Sequence, residues 1–94
     1  MIRIAAQYTV RPGTESEVEA TVRTFVRAVH KHEPTTDYRA FRLSNSRNFL
    51  HVMCFDDDDS HQVHRAAPYT LKLVEDLYPR CEEEPTFKPL SAIA

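Results

Sequence analysis

Between Ile2 and Val10 the apolar side chains fall on every second residue, and from Val18 to Val29 they fall at helical spacing. This change of period, repeated once further along the chain, constrains the fold more than any other feature. Ile2, Ile4, Ala6, Tyr8 and Val10 oppose Arg3, Ala5, Gln7 and Thr9, which predicts a strand with one apolar face. Arg11-Pro12-Gly13 ends it. Thr14 fits an N-cap, and Glu17 three residues on completes a capping box. Val18, Val22, Phe25, Val26 and Val29 then make one apolar stripe. Glu15, Glu17 and Glu19 lie near the positive end of the helix dipole, His30, Lys31 and His32 near its negative end. Pro34 stops the helix.

The second half repeats the order with strands first. Asp37 to Leu43 predicts a second strand, and Ser44-Asn45-Ser46-Arg47-Asn48 a polar turn into a third, Phe49 to Phe55. That third strand is nearly all apolar, as expected of a central strand buried on both faces. Asp56 to Asp59 cap and charge-match the next helix; they lack the ligand spacing, central Gly and late Glu of an EF-hand loop. Pro68 divides this helix into two pieces. Leu71, Leu73, Val74, Leu77 and Tyr78 form its later apolar side. Thr86 to Ile93 predicts a last strand, in which Pro89 points to an edge or a bulge.

The order is βαββαβ. In the ferredoxin-like α+β class this gives a four-stranded antiparallel sheet with both helices on one face. The other face is left bare, and an apolar third strand makes it a sticky patch. A second copy across a two-fold axis covers such a face, so a homodimer is expected.

At 94 residues the chain makes a single domain, residues 1–94. Net charge is −2 and the pI about 6.2, which gives no electrostatic case for nucleic acid or an anionic membrane. No apolar run approaches the roughly 18 residues of a membrane-spanning helix. MIRIAAQYTV is too short and polar for a signal peptide, so a cytoplasmic protein is expected. Cys54, expected buried in a strand, and Cys81, after a helix, read as reduced thiols. Gly13 is the only glycine, so no Gly-rich phosphate loop exists, and no bound cofactor is expected. His61 and His64 stand three residues apart, but no third ligand has a matching spacing, so no metal site is expected.

Several segments together resemble the antibiotic biosynthesis monooxygenase domain of the dimeric α+β barrel superfamily. They are the first strand running into Arg11-Pro12-Gly13, the long helix ending near Glu33-Pro34, and Tyr38-Arg39-Ala40-Phe41-Arg42. Phe49–Phe55 and Val63-His64-Arg65-Ala66-Ala67-Pro68-Tyr69 complete the match; the family often has a His, small residues and then Pro or Asp at this kink. The resemblance covers essentially the whole chain. It implies a cavity in each protomer between helices and sheet, for a small apolar or aromatic ligand. Some members oxidise polycyclic phenols or quinols with O₂ and no cofactor, and others degrade haem. The haem branch needs a strand-one Asn and a His late in the second helix. Ala6 and about Val74 stand there and serve neither role.

The resemblance implies His64 and Tyr69 as catalytic candidates facing one cavity beside Pro68. His64 acts there as general base or hydrogen-bond donor; the competing reading is an interhelical His bonded to a carboxylate. Tyr69 bonds a substrate oxygen, or is an amphipathic wedge between helix and sheet. Tyr8, His51, Phe49 and Met53 are candidate pocket residues. His51 shares a face with Phe49 and Met53, and a satisfied core histidine is its plainer reading. Whether that face meets helices or a partner subunit stays open in the sequence. Arg42 reads as an exposed strand charge, or as a contact to an acidic ligand group. The functional expectation is a cofactor-independent monooxygenase of a small phenolic, quinol or polyketide-like compound. The alternatives are a non-catalytic small-ligand-binding protein, or an isomerase or decarboxylase, on the same fold.

Overall fold

The computed structural model describes all 94 residues. The elements are β1 (Ile2–Thr9), α1 (Glu15–His32), β2 (Asp37–Arg42), β3 (Asn48–Phe55), α2 (Asp58–Ala66), α3 (Pro68–Leu77) and β4 (Thr86–Leu90). A short 3-10 turn, Tyr78–Arg80, follows α3. The four strands form one antiparallel sheet in the order β2-β3-β1-β4, and the helices cover one face. This is the ferredoxin-like α+β arrangement expected from the sequence. No helix is long and apolar enough to cross a membrane.

Local chemistry explains the breaks. Gly13 takes φ +88° in the turn into α1, and nothing stands within 4 Å of where a Cβ would be. The glycine is therefore needed for its backbone angle and not for space. Ala67 is extended (φ −64°, ψ 142°), which ends α2 and lets Pro68 open α3 without losing a hydrogen bond. Asp57 caps α2 by accepting from the Ser60 N–H at 2.8 Å.

Register builds the inner face. His51 pairs with Ala6 on one side and Ala40 on the other, so the strands flanking it carry only methyl groups in its row. Tyr8 opposes Phe49 and Tyr38 opposes Met53, which puts each tyrosine one diagonal step from His51, on opposite sides of β3. Diagonal neighbours lie within reach of aromatic side chains. Small groups beside His51 and long rings across its corners leave a hollow above β3.

Three expectations are corrected. Thr14 does not cap α1 with its side chain; its hydroxyl donates to the Arg11 carbonyl at 2.7 Å, and Glu17 pairs instead with Arg80. The tight turn competes for the hydroxyl and wins. β3 is not sealed on both faces: Phe49, His51, Met53 and Phe55 are buried, while Leu50, Val52 and Cys54 stay half-buried on the uncovered side. β4 stops at Leu90, with every residue exposed, because its only pairing partner is β1.

The core joins the α1 stripe to the inner sheet face. Val18, Val22, Phe25 and Val29 are buried, and the Phe25 ring meets Tyr38 edge-on at 5.2 Å and His64 at 5.8 Å. Phe25→Ala is expected to cost about 3–5 kcal/mol, the scale of emptying a buried aromatic site. Urea unfolding checks this, and a loss below about 1 kcal/mol would remove Phe25 from the core.

Candidate active site

A cavity of about 340 Å³ lies between α2, α3 and the inner face of the sheet. Eleven of its 17 lining residues are hydrophobic, so its walls are mainly apolar. Ala6, His51 and Met53 supply the sheet side; Leu73 and Leu77 supply the helix side. Pro85 and Phe87 line it at the β4 side, where Phe87 is 56% exposed and marks the open edge. The size falls at the lower end of ordinary ligand pockets.

Two polar systems border this space. In the first, His51 is 2% exposed and bridges two phenols: Nε2 lies 2.7 Å from the Tyr8 hydroxyl and Nδ1 lies 2.7 Å from the Tyr38 hydroxyl. Burial lowers the His51 pKa to about 4, so the ring is neutral near neutral pH. Burial also pushes both phenols well above the usual tyrosine range, helped at Tyr38 by the Glu33 charge and at Tyr8 by Tyr38.

The second system centres on Glu33, 8% exposed, just past the C-terminal end of α1. Helix carbonyls make this a poor place for a carboxylate. Three donors compensate: His64 Nδ1 at 2.8 Å, the Tyr69 hydroxyl on the same oxygen, and the Thr36 hydroxyl at 2.9 Å on the other. The carboxylate accepts, so a His64 hydrogen sits on Nδ1 and Nε2 is the ring nitrogen left over. Nε2 has no protein partner and is not sealed off, and His64 lines the cavity. The extended Ala67 lets α2 and α3 approach Glu33 from separate directions, one with His64 and the other with Tyr69.

Of the sequence candidates, Tyr8, His51, Met53 and His64 line this one cavity. Phe49 does not; it stacks flat on Tyr8 at 5.3 Å and steadies that ring from outside. Tyr69 is also placed elsewhere. Its hydroxyl is spent on Glu33, its ring stacks on His32 at 5.6 Å, and it borders a shallow groove between α1 and α3. The expectation that Tyr69 shares the His64 cavity is therefore corrected: Tyr69 stands behind the histidine. Arg42 pairs with Glu19 at 3.7 Å, away from the cavity. His61 stacks on Phe55 at 4.8 Å, and no three His, Cys, Asp or Glu side chains stand close enough to hold a metal ion. Ala6 and Val74 both line the cavity.

Sequence reasoning passed over Glu33, Thr36 and Tyr38. Glu33 had one legible signal, an acid at the wrong end of a helix. Tyr38 had none, because its role depends on strand register.

The His51 pKa has a consequence for stability. Its folded value, about 4, lies below the ordinary 6.5, so the unfolded chain binds the proton more readily. Stability from this group is full above about pH 6.5 and is lost as pH falls toward 4, by up to about 1.4 kcal/mol per pH unit. His51→Phe should flatten that part of the stability–pH curve; an unchanged slope between pH 6.5 and 4 would show that His51 protonates freely in the folded state.

The fold has known counterparts. The family model for antibiotic biosynthesis monooxygenase matches residues 1–76. A crystal structure of an antibiotic biosynthesis monooxygenase superposes with a TM-score of 0.88 at 20% identity, covering 100% of both chains. The protein Rv0793 from Mycobacterium tuberculosis gives 0.87 at 13% identity, over 99% of this chain and 95% of that one. A conserved protein from Methanosarcina mazei Go1 gives 0.85 at 19% identity, over 95% and 89%. No functionally curated protein matches in sequence. Identities this low speak for the fold alone. The family model, spanning three of the four strands, nearly all of the helical layer and most of the cavity wall, shows that this chain belongs to the antibiotic biosynthesis monooxygenase family.

Proposed function

We propose that this protein is a cofactor-independent monooxygenase that oxidises a small phenolic, quinol or polyketide-like compound with O₂. The observation that carries the reading is His64. Glu33 holds its Nδ1–H, and Nε2 is left without a protein partner in the wall of an apolar cavity. This is the geometry of an oriented general base. Thr70 supports the reading: its hydroxyl is buried without a partner, and Thr70 lines the same cavity.

The chemistry follows from the residues. His64 Nε2 takes the phenolic proton. The phenolate, electron-rich and shielded from water, passes one electron to O₂, and the two radicals combine to form a carbon–oxygen bond. The peroxide then breaks at its O–O bond. One oxygen stays as a carbonyl, and the other leaves as water with the phenolic and the ring hydrogen. An aromatic C–H carbon thus becomes a quinone C=O for each O₂ consumed. The protein's part is a dry pocket, a proton acceptor and hydrogen bonds to the developing oxyanion. Glu33 acts as a positioning residue.

His64→Ala should lower O₂ uptake with hydroquinones about 100-fold or more, the scale of losing a general base. Glu33→Gln should lower it less and shift its pH profile, because a neutral amide leaves the imidazole orientation and basicity unsupported. Unchanged uptake in His64→Ala, or turnover that persists without O₂, would sink the monooxygenase reading. The second of these results would point to an isomerase or decarboxylase. No O₂ uptake, with only a melting-temperature rise on ligand addition, would point to a binding protein.

The proposal extends to the assembly. Leu50, Val52 and Cys54 are half-buried on the uncovered sheet face, with Phe41 and Leu90 more exposed on flanking strands. A second copy covers this face across a two-fold axis. Light scattering should give about twice the 10.9 kDa chain mass. A monomer at micromolar concentration would rule this assembly out.

A further inference from the structure

We propose that Tyr8, His51 and Tyr38 form an oxyanion-binding unit that presents one free phenolic O–H to the cavity, suited to the ionised oxygen of a small phenol or enol. The proposal rests on the functional reading above and assigns the recognition step that His64 does not perform.

Counting hydrogens leads to it. Both His51 nitrogens are engaged by tyrosine hydroxyls at 2.7 Å. A neutral imidazole has one N–H and one bare nitrogen. One tyrosine must therefore donate to the bare nitrogen, and the other must accept from the N–H. The accepting tyrosine keeps its own hydrogen, and neither hydroxyl has any other protein partner. Both tyrosines line the cavity. Either tautomer leaves one free O–H there, and the two differ only in which tyrosine carries it.

The unit donates a hydrogen bond without giving up a proton. Burial makes ionisation of either phenol costly and makes protonation of His51 costly as well. What remains is a neutral dipole fixed before the ligand arrives, which costs no reorganisation when charge develops. A hydrogen bond to a charged oxygen is about twice as strong as one to a neutral oxygen, so the unit favours the ionised form. A permanent acid would call for a buried cation, and Arg65, the cation that lines the cavity, is exposed. A neutral donor beside a histidine base, with the Tyr38 ring stacked on His64 at 5.5 Å, instead suits a weakly acidic hydroxyl that ionises on binding. Two of the three histidines lining the cavity thus have opposite roles: His64, oriented by a carboxylate, moves the proton, and His51, held between phenols, fixes the donor.

The test is binding of 4-nitrophenolate, at a pH above that phenol's own pKa, with 4-nitroanisole as the uncharged control. Calorimetry on the double variant Tyr8→Phe/Tyr38→Phe should show phenolate affinity reduced about 10- to 100-fold, the worth of a hydrogen bond to a charged group. Affinity for 4-nitroanisole should stay within about 3-fold, since the apolar walls are unchanged. Each single variant should lose much less than the double, because His51 can turn its N–H toward the remaining phenol and leave that phenol's hydrogen free. Equal losses for both ligands, or none for the phenolate, would overturn the proposal. Should the double variant fail to fold, ¹⁵N resonances of His51 in the unaltered protein decide: saturating phenolate should bind one tautomer and shift the ring nitrogens, and unmoved resonances refute the unit. The outcomes are separable from those of the catalytic reading. Donor-dependent phenolate binding without O₂ uptake removes the monooxygenase and keeps the unit. His64-dependent O₂ uptake with donor-independent binding does the reverse.

Discussion

A buried carboxylate holds the helical layer of this protein in one arrangement. Glu33 ends α1, and through its two oxygens it ties that helix to α2 by His64, to α3 by Tyr69 and to the following turn by Thr36. Desolvating a carboxylate at the negative end of a helix is unfavourable, and the three donors are what make it tolerable. Such a cluster contributes little net stability compared with an apolar replacement of the same volume. Its effect is on specificity: with one donor displaced, an unsatisfied charge remains, so the helices on either side of Pro68 have one acceptable orientation. The orientation of the His64 ring depends on this constraint, and so does the free nitrogen it turns to the cavity.

The sheet makes its contribution by a different route. Strand pairing places Ala6 and Ala40 beside His51 and sets Tyr8 and Tyr38 at its corners. The hollow exists because methyl groups occupy positions where larger residues would fill the layer. Its polar groups come from rings long enough to reach across the corners. Packing and chemistry are thus the same residues here. Phe49 stacked under Tyr8, and Phe25 against Tyr38 and His64, hold these rings in place while completing the core.

The elements and their order were legible in the sequence because hydrophobic period is local. Ile2–Val10 alternates, Val18–Val29 repeats at helical spacing, and Pro68 marks its own break. The Thr14 cap misled because two partners competed for one hydroxyl, and the winner, the Arg11 carbonyl, lay in a turn whose geometry the spacing of residues does not reveal. His64 was legible as a cavity residue through family resemblance. Tyr69 was misplaced because the space beside Pro68 was credited to both sides of the bend, whereas the bend sends the two side chains to one carboxylate from different directions.

By itself the sequence determined the βαββαβ order, the single apolar face of β1, the α1 stripe and the division of the second helix, since each depends on residues within a few positions of one another. Only the tertiary structure decided that the His51 face meets the helices, that Tyr8 and Tyr38 converge on one imidazole, and that Glu33 organises His64 and Tyr69. Those contacts span 43, 13, 31 and 36 residues of chain. They depend on strand register and on the angle at Ala67, where a slip of one residue in pairing would turn His51 to the other side of the sheet.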